Sequence, residues 1–209
     1  MRFAFALGIL AVTASTLWGA DKPGYSQDFS STPVGEVPSD MIVSDGQFAV
    51  KDDNGNKLIE LPGSPLESFG LVFGPNEAAG VEIQAMIRGT KTGRKFPTFA
   101  AGLNGISGYK LRVAPAKNAI ELAKGDEIKA SVPFTWKSGE WVKLKLQVVK
   151  ADGGVTLQGR AWQGTEEPKE WAISFTDKEP LKAGKASVWG MPYSGTPIQF
   201  DDLKVSAVQ

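Results

Sequence analysis

Between Trp162 and Trp171 the chain reads Gln163-Gly164-Thr165-Glu166-Glu167-Pro168-Lys169-Glu170, so two adjacent carboxylates sit between two indoles, with Arg160 just upstream. Two chemistries use such a set. Aromatic rings bury the apolar face of a pyranose while Arg, Gln and Glu satisfy its hydroxyls in pairs. Carboxylates about 5–5.5 Å apart cleave a glycosidic bond, one as nucleophile and one as acid. A third reading is packing alone, with both tryptophans covering a sheet edge and the acidic stretch as solvated loop. Between the two indoles, Trp162 is the better contact residue.

The rest of the inventory narrows these choices. The chain has no histidine and no cysteine. Histidine-based triads, His-ligated metals, thiolate sites and disulfides are therefore excluded, and proton transfer would fall to carboxylates, Lys, Tyr or Ser. Calcium needs only oxygen ligands. Asp28, Asp201 and Asp202 are the candidate set for a structural calcium ion, provided the two ends of the chain pair; ordinary strand-end carboxylates are the alternative. The segment Asp52–Asn56 lacks the loop length and closing Glu of an EF-hand and reads as a hairpin.

These residues need elements to position them. A chain of 209 residues can bury a sizeable core. Its opening has Arg2, an apolar run from Phe3 to Val12 and small residues beyond. That is a secretory signal peptide over residues 1–20, cleaved after Ala14 or Ala20, and the run is too short for a membrane span of roughly 20 residues. A secreted or periplasmic protein is expected, with residues 21–209 as one domain and no membrane insertion. Loss of Arg2 leaves 22 basic against 23 acidic residues, a net charge of −1, with no basic cluster for nucleic acid.

Gly and Pro are dispersed, and between them run short segments of period-two polarity. Val81, Ile83, Ala85 and Ile87 share one face; Glu82, Gln84, Met86 and Arg88 share the other. Val142, Leu144, Leu146 and Val148 alternate with Lys143, Lys145 and Gln147, and Tyr109, Leu111 and Val113 with Lys110 and Arg112. Turn pairs punctuate them: Asn54-Gly55, Asp152 to Gly154 and Gly125-Asp126. About a dozen strands without a convincing helix predict an all-β, two-sheet antiparallel jelly-roll sandwich. Ile198 and Phe200 hold one parity while Leu203 and Val205 hold the other, which predicts a bulge at Asp201-Asp202.

The ordered segments "QDFSSTPVGEVPSD", "SDGQFAV", "GYKLRV", "GEWVKLKLQV", "GRAWQGTEEPKEW" and "IQFDDLKV" together resemble secreted bacterial domains of the concanavalin A-like lectin/glucanase sandwich. Laminin G-like modules and 3-keto-disaccharide hydrolases are among these relatives. The resemblance implies two curved sheets with ligand on a concave face or rim. It also shows a departure: laminarinase-type glucanases carry several acids at alternate positions of one strand, whereas Glu82 is followed here by Gln84 and Met86.

One concave face is expected to gather Glu82, Gln84, Arg88, Lys110, Arg112, Arg160 and Trp162, with Trp189 just before a loop that carries Tyr193, as ligand-binding residues. Trp141 reads as a lid on the core edge. The leading expectation is a non-catalytic carbohydrate-binding domain, with no catalytic residue assigned. A glycoside hydrolase of the 3-keto-disaccharide type acting through carboxylates, and a structural cell-surface or assembly module, are the alternatives.

Overall fold

The computed structural model describes residues 24–179 and 181–208; the expected signal peptide lies outside them. The strands run in chain order as β1 (Tyr25–Gln27), β2 (Ile42–Asp45), β3 (Ala49–Asp53), β4 (Asn56–Leu61), β5 (Phe69–Glu77), β6 (Val81–Arg88), β7 (Thr98–Leu103), β8 (Tyr109–Ala114), β9 (Ala119–Lys124), β10 (Glu127–Pro133), β11 (Val142–Ala151), β12 (Gly154–Gln163), β13 (Ile173–Asp177), β14 (Gly184–Met191) and β15 (Ile198–Ala207). A single 3-10 turn, Pro115–Lys117, is the only helical element among the described residues. Two antiparallel sheets result. One has eight strands in the order β13-β12-β11-β6-β15-β4-β3 with β1 also on β15; the other has seven, β10-β9-β8-β7-β14-β5-β2. The predicted all-β sandwich is what forms.

Alternation decides which side of each strand is dry. Val81, Ile83, Ala85 and Ile87 are buried and their neighbours half-exposed along β6, and the same holds for Tyr109, Leu111 and Val113 of β8. The inward sets of the two sheets merge in one core that includes Phe73, Phe99, Leu111, Leu146, Leu157 and Phe200. Gly159 of β12 is part of this fit, because a Cβ there would lie 2.8 Å from Leu111 Cδ1 of the facing sheet. The Asn54-Gly55 turn has both residues at positive φ (58° and 91°), as a two-residue hairpin whose twist matches its strands requires.

The first and last described strands meet: Tyr25 pairs with Val205 and Gln27 with Leu203. The predicted bulge is present, with the β15–β6 register shifting between Asp201 and Lys204 and Asp202 at φ 48°. The extra residue lets Ile198, Phe200, Leu203 and Val205 all face the core.

At one end of the sandwich a polar tie joins the sheets. Asp177 of β13 accepts a short hydrogen bond from the Tyr109 hydroxyl, one of 2.9 Å from Lys124 Nζ and one of 2.9 Å from the Glu179 amide. Burial alone would raise its carboxyl, but these donors outweigh it and hold Asp177 at about 2, while burial and the same carboxylate push the Tyr109 hydroxyl up. A depressed carboxyl stabilises the fold above its unfolded value, near 4, and loses that contribution as pH falls through about 2. After allowance for solvent screening, the tie is worth on the order of 1–2 kcal/mol. Urea unfolding at pH 7 and pH 3 is expected to show the wild type losing about half of that margin, since pH 3 lies between the unfolded value and about 2. Asp177→Asn is expected to start lower and to lack this part of the slope; an unchanged slope would remove the tie from the account.

Candidate functional site

The outer surface of the eight-stranded sheet is a grid set by strand register. One row runs Trp162, Lys143, Met86, Asp201; the next Arg160, Lys145, Gln84, Lys204; a third Gln158, Gln147, Glu82, Ser206. Lys145 is buried here although it points outward, because the segment after β12 folds over it. Glu167 of that segment lies 2.6 Å from Lys145 Nζ and forms a close ion pair with Arg160, while Glu82 approaches Lys145 at 3.8 Å. Arg160 also donates to the carbonyls of Pro168 and Lys169 (2.8 and 3.0 Å) and stacks 4.2 Å from the centre of the Trp171 ring.

Arg160, Trp162 and Trp171 are thereby committed to holding down a loop. Trp162 is 8% exposed, and both terminal nitrogens of Arg160 are taken, one by the Pro168 and Lys169 carbonyls and the other by Glu167. Burial pushes the Glu167 carboxyl up, but Lys145 and Arg160 outweigh it and hold it below the ordinary carboxylate range, so it is a fixed anion rather than a proton donor. Two carboxylates do converge on Lys145, yet what they build is a charge lock.

Beside the lock are two open hollows of about 420 and 460 Å³ that share Met86 and Asp202. The second is lined by Asp28, Asp201, Asp202 and Trp141. Trp141 stands under the Arg88 guanidinium at 4.7 Å, and Arg88 is itself bound to Gln199 (2.7 Å) and Asp53. The three aspartates proposed for calcium share this hollow, but among the described residues no group of three or more acidic side chains is placed to hold a metal ion. Their oxygens are engaged instead. Asp28 accepts from the Ser30 amide and hydroxyl, and Asp201 from Asn56 Nδ2 (2.8 Å) and the Asp202 amide. Burial, then the charges of Asp202 and Asp28, keep the Asp201 carboxyl above its ordinary range.

The outer surface of the seven-stranded sheet is built differently. Its register places Gly70, Trp189, Ala100, Arg112 and Glu121 in one row, and Val72, Ser187, Gly102, Lys110 and Ala123 in the next. Small residues pave the floor, so the long side chains lie along the sheet. The six-membered ring of Trp189 rests against Gly70, where a Cβ would come within 2.7 Å of it. Its Nε1 donates to Ser187 Oγ at 2.9 Å, and Lys110 Nζ sits 3.5 Å from the ring centre. Arg112 donates through Nε (3.0 Å) and a terminal nitrogen (2.5 Å) to Glu121 Oε2, and Lys117 reaches Glu121 Oε1 at 2.9 Å. Burial would raise Glu121, which is 2% exposed, but these two cations hold it below its ordinary range. Burial, and after it the Arg112 charge, lower the Lys110 ammonium despite the attraction of Asp126. A hollow of about 110 Å³ opens here, with Ser68, Thr98, Lys110, Arg112, Asp126 and Trp189 on its walls.

The single binding face expected from the sequence is thus two faces. Glu82, Gln84, Arg88, Arg160 and Trp162 lie on the eight-stranded sheet, and Lys110, Arg112 and Trp189 on the seven-stranded one, with the core between them. Parity within each strand is as read; the assignment of strands to a common sheet is not, because pairing between segments far apart in sequence leaves no local signal. Trp189, expected just before a loop, lies near the end of β14. Sequence reasoning also passes over Glu121 and Ser187. The alternation of Ile120 and Leu122 around Glu121 marks it as outward, whereas nothing local marks Ser187 as the acceptor for an indole.

No protein-family model matches the chain, and no curated protein matches it in sequence. Solved structures match over most of its length. A carbohydrate binding module, CBM66 from Bacillus subtilis, aligns with a TM-score of 0.58 at 11% identity over 80% of this chain and 96% of that one. The carbohydrate recognition domain of Emp46p in its metal-free form aligns at 0.61 and 12% identity over 88% and 97%. The fold is the concanavalin A-like sandwich. The apo Crh5 transglycosylase shares it too, at 0.58 and 10% identity over 88% and 84%. Identities this low carry the fold alone, and the same sandwich serves both binding and catalytic neighbours.

Proposed function

We propose that this chain is a secreted or periplasmic, non-catalytic domain that binds carbohydrate on the outer face of the seven-stranded sheet. The observation that carries the reading is the Trp189 ring resting against Gly70 and fixed by Ser187, beside the Arg112–Glu121 pair and the Ser68 and Thr98 hydroxyls. The rigid ring offers a pyranose the apolar surface that Gly70 and the Lys110 ammonium leave uncovered, and the paired charges offer donors and acceptors at hydroxyl spacing. On the opposite face Arg160 and Trp171 are spent on the Glu167 loop, and Arg88 is bound to Gln199 and Asp53 above Trp141. The non-catalytic part is supported by Glu121, which its two cations keep ionised and unfit as a general acid. Lectin-fold neighbours that bind carbohydrate agree with the reading.

Affinity electrophoresis against a panel of polysaccharides tests it. Trp189→Ala is expected to weaken retention by about tenfold, and Trp162→Ala to leave it within about twofold, since that indole is buried under its own loop. Retention that survives the first change and disappears with the second would place the ligand on the other sheet.

A further inference from the structure

The charges on the seven-stranded face do not balance. Lys110, Arg112 and Lys117 meet Glu121 and Asp126. Glu121 is fully used, one oxygen on Arg112 and the other on Lys117. Asp126 is an exposed carboxylate on the β9–β10 turn, near enough to act on Lys110 through space, yet the two form no ion pair. Among the described residues Lys110 has no hydrogen-bond or ion-pair partner; its ammonium rests on the Trp189 ring, half-buried beside a second cation. The neighbouring lysines do find oxygen partners: Lys117 and Lys124 reach carboxylates, and Lys185 reaches the Gly74 carbonyl at 2.5 Å. A half-buried ammonium without an oxygen partner is an incomplete arrangement, because desolvation of the charge is offset only by the ring.

We propose that the saccharide taken on this face carries a negatively charged substituent, a carboxylate or a sulfate ester, that binds Lys110. This rests on the reading of the face as a carbohydrate site. The sugar ring meets Trp189, and its anionic group enters the hollow of about 110 Å³ between Lys110 and the Arg112 guanidinium, where Ser68 and Thr98 supply hydroxyls. That volume suits one small substituent rather than a whole ring. The anion completes the row of charges that Glu121 completes for Arg112. Binding then has two separable parts, an apolar one on the indole and a charge-assisted one on the ammonium.

The test is retention of the full chain on three polymers: polygalacturonate for the carboxylate, dextran sulfate for the sulfate, and unmodified dextran as the neutral control. Each is run with the wild type, Lys110→Met, Lys110→Arg and Lys150→Met. Lys150 is exposed and remote from the face, so its variant loses the same unit of charge without touching the site. The expected result is tighter binding to one anionic polymer than to dextran, weakened about tenfold by Lys110→Met, kept by Lys110→Arg and unchanged by Lys150→Met. Whichever anionic polymer binds names the source of the charge. Equal retention on all three polymers, or the same loss for Lys110→Met and Lys150→Met, overturns this inference and leaves the carbohydrate reading standing. Retention on none of the three overturns both.

Discussion

Phe200→Ala is expected to cost about 3–5 kcal/mol of folding stability and to lower the melting temperature by roughly 10 °C in calorimetry. Phe200 has no exposed surface and lies in β15, between β4 and β6, with its ring 5.9 Å from that of Phe48. Gly190 of the opposite sheet approaches so closely that a Cβ there would lie 3.4 Å from the phenyl tip. Truncation leaves a void between strands that are hydrogen-bonded on both sides and cannot collapse into it, which places the change at the upper end of the range for aromatic deletions. The effect has a second reach. Asp201 follows directly and opens the bulge, so Phe200→Leu, which keeps most of the volume, separates lost packing from a shifted bulge. A loss below about 1 kcal/mol for Phe200→Ala would mean that the site repacks.

Lys145→Ala ranks second. The Lys145 side chain is 10% exposed and stands between Glu82 and Glu167, so its removal leaves Glu167 with Arg160 alone and Glu82 with only the Gln84 amide. Breaking one side of a buried pair costs more than the pair itself contributes. Because Glu167 keeps 35% of its side-chain surface, the expected loss is about 2 kcal/mol rather than the full cost for a buried charge. Combining Lys145→Met with Glu167→Gln is expected to recover part of it, with a coupling of about 1–2 kcal/mol in a urea double-mutant cycle. Strict additivity would show that the loop is held by Arg160 and Trp171 alone.

What could be read from the sequence follows from which information is local. Alternation in β6, β8 and β11 gave the buried side residue by residue, and the change of parity from Phe200 to Leu203 located a bulge without any coordinates. The site was legible only in pieces. That Arg160 and Trp162 share a face is a matter of counting by two. That Lys110 and Trp189 share another, with the core between, depends on β14 pairing with β7 about 90 positions earlier in the chain, and no short-range pattern encodes such a partnership. The three aspartates show the limit at a finer scale: the terminal strands do pair and do bring Asp28 near Asp201, while the side-chain oxygens turn to Asn56, Ser30 and backbone amides, a choice no strand pattern encodes.

The pairing of Tyr25 with Val205 also sets how the domain bears load. First and last strands run antiparallel and leave from the same end. Tension applied through the two flanking peptides therefore acts along the interstrand bonds, parting them one after another instead of shearing them together. Tethered on both sides, the sandwich yields by peeling β1 from β15, well before its interior is disturbed.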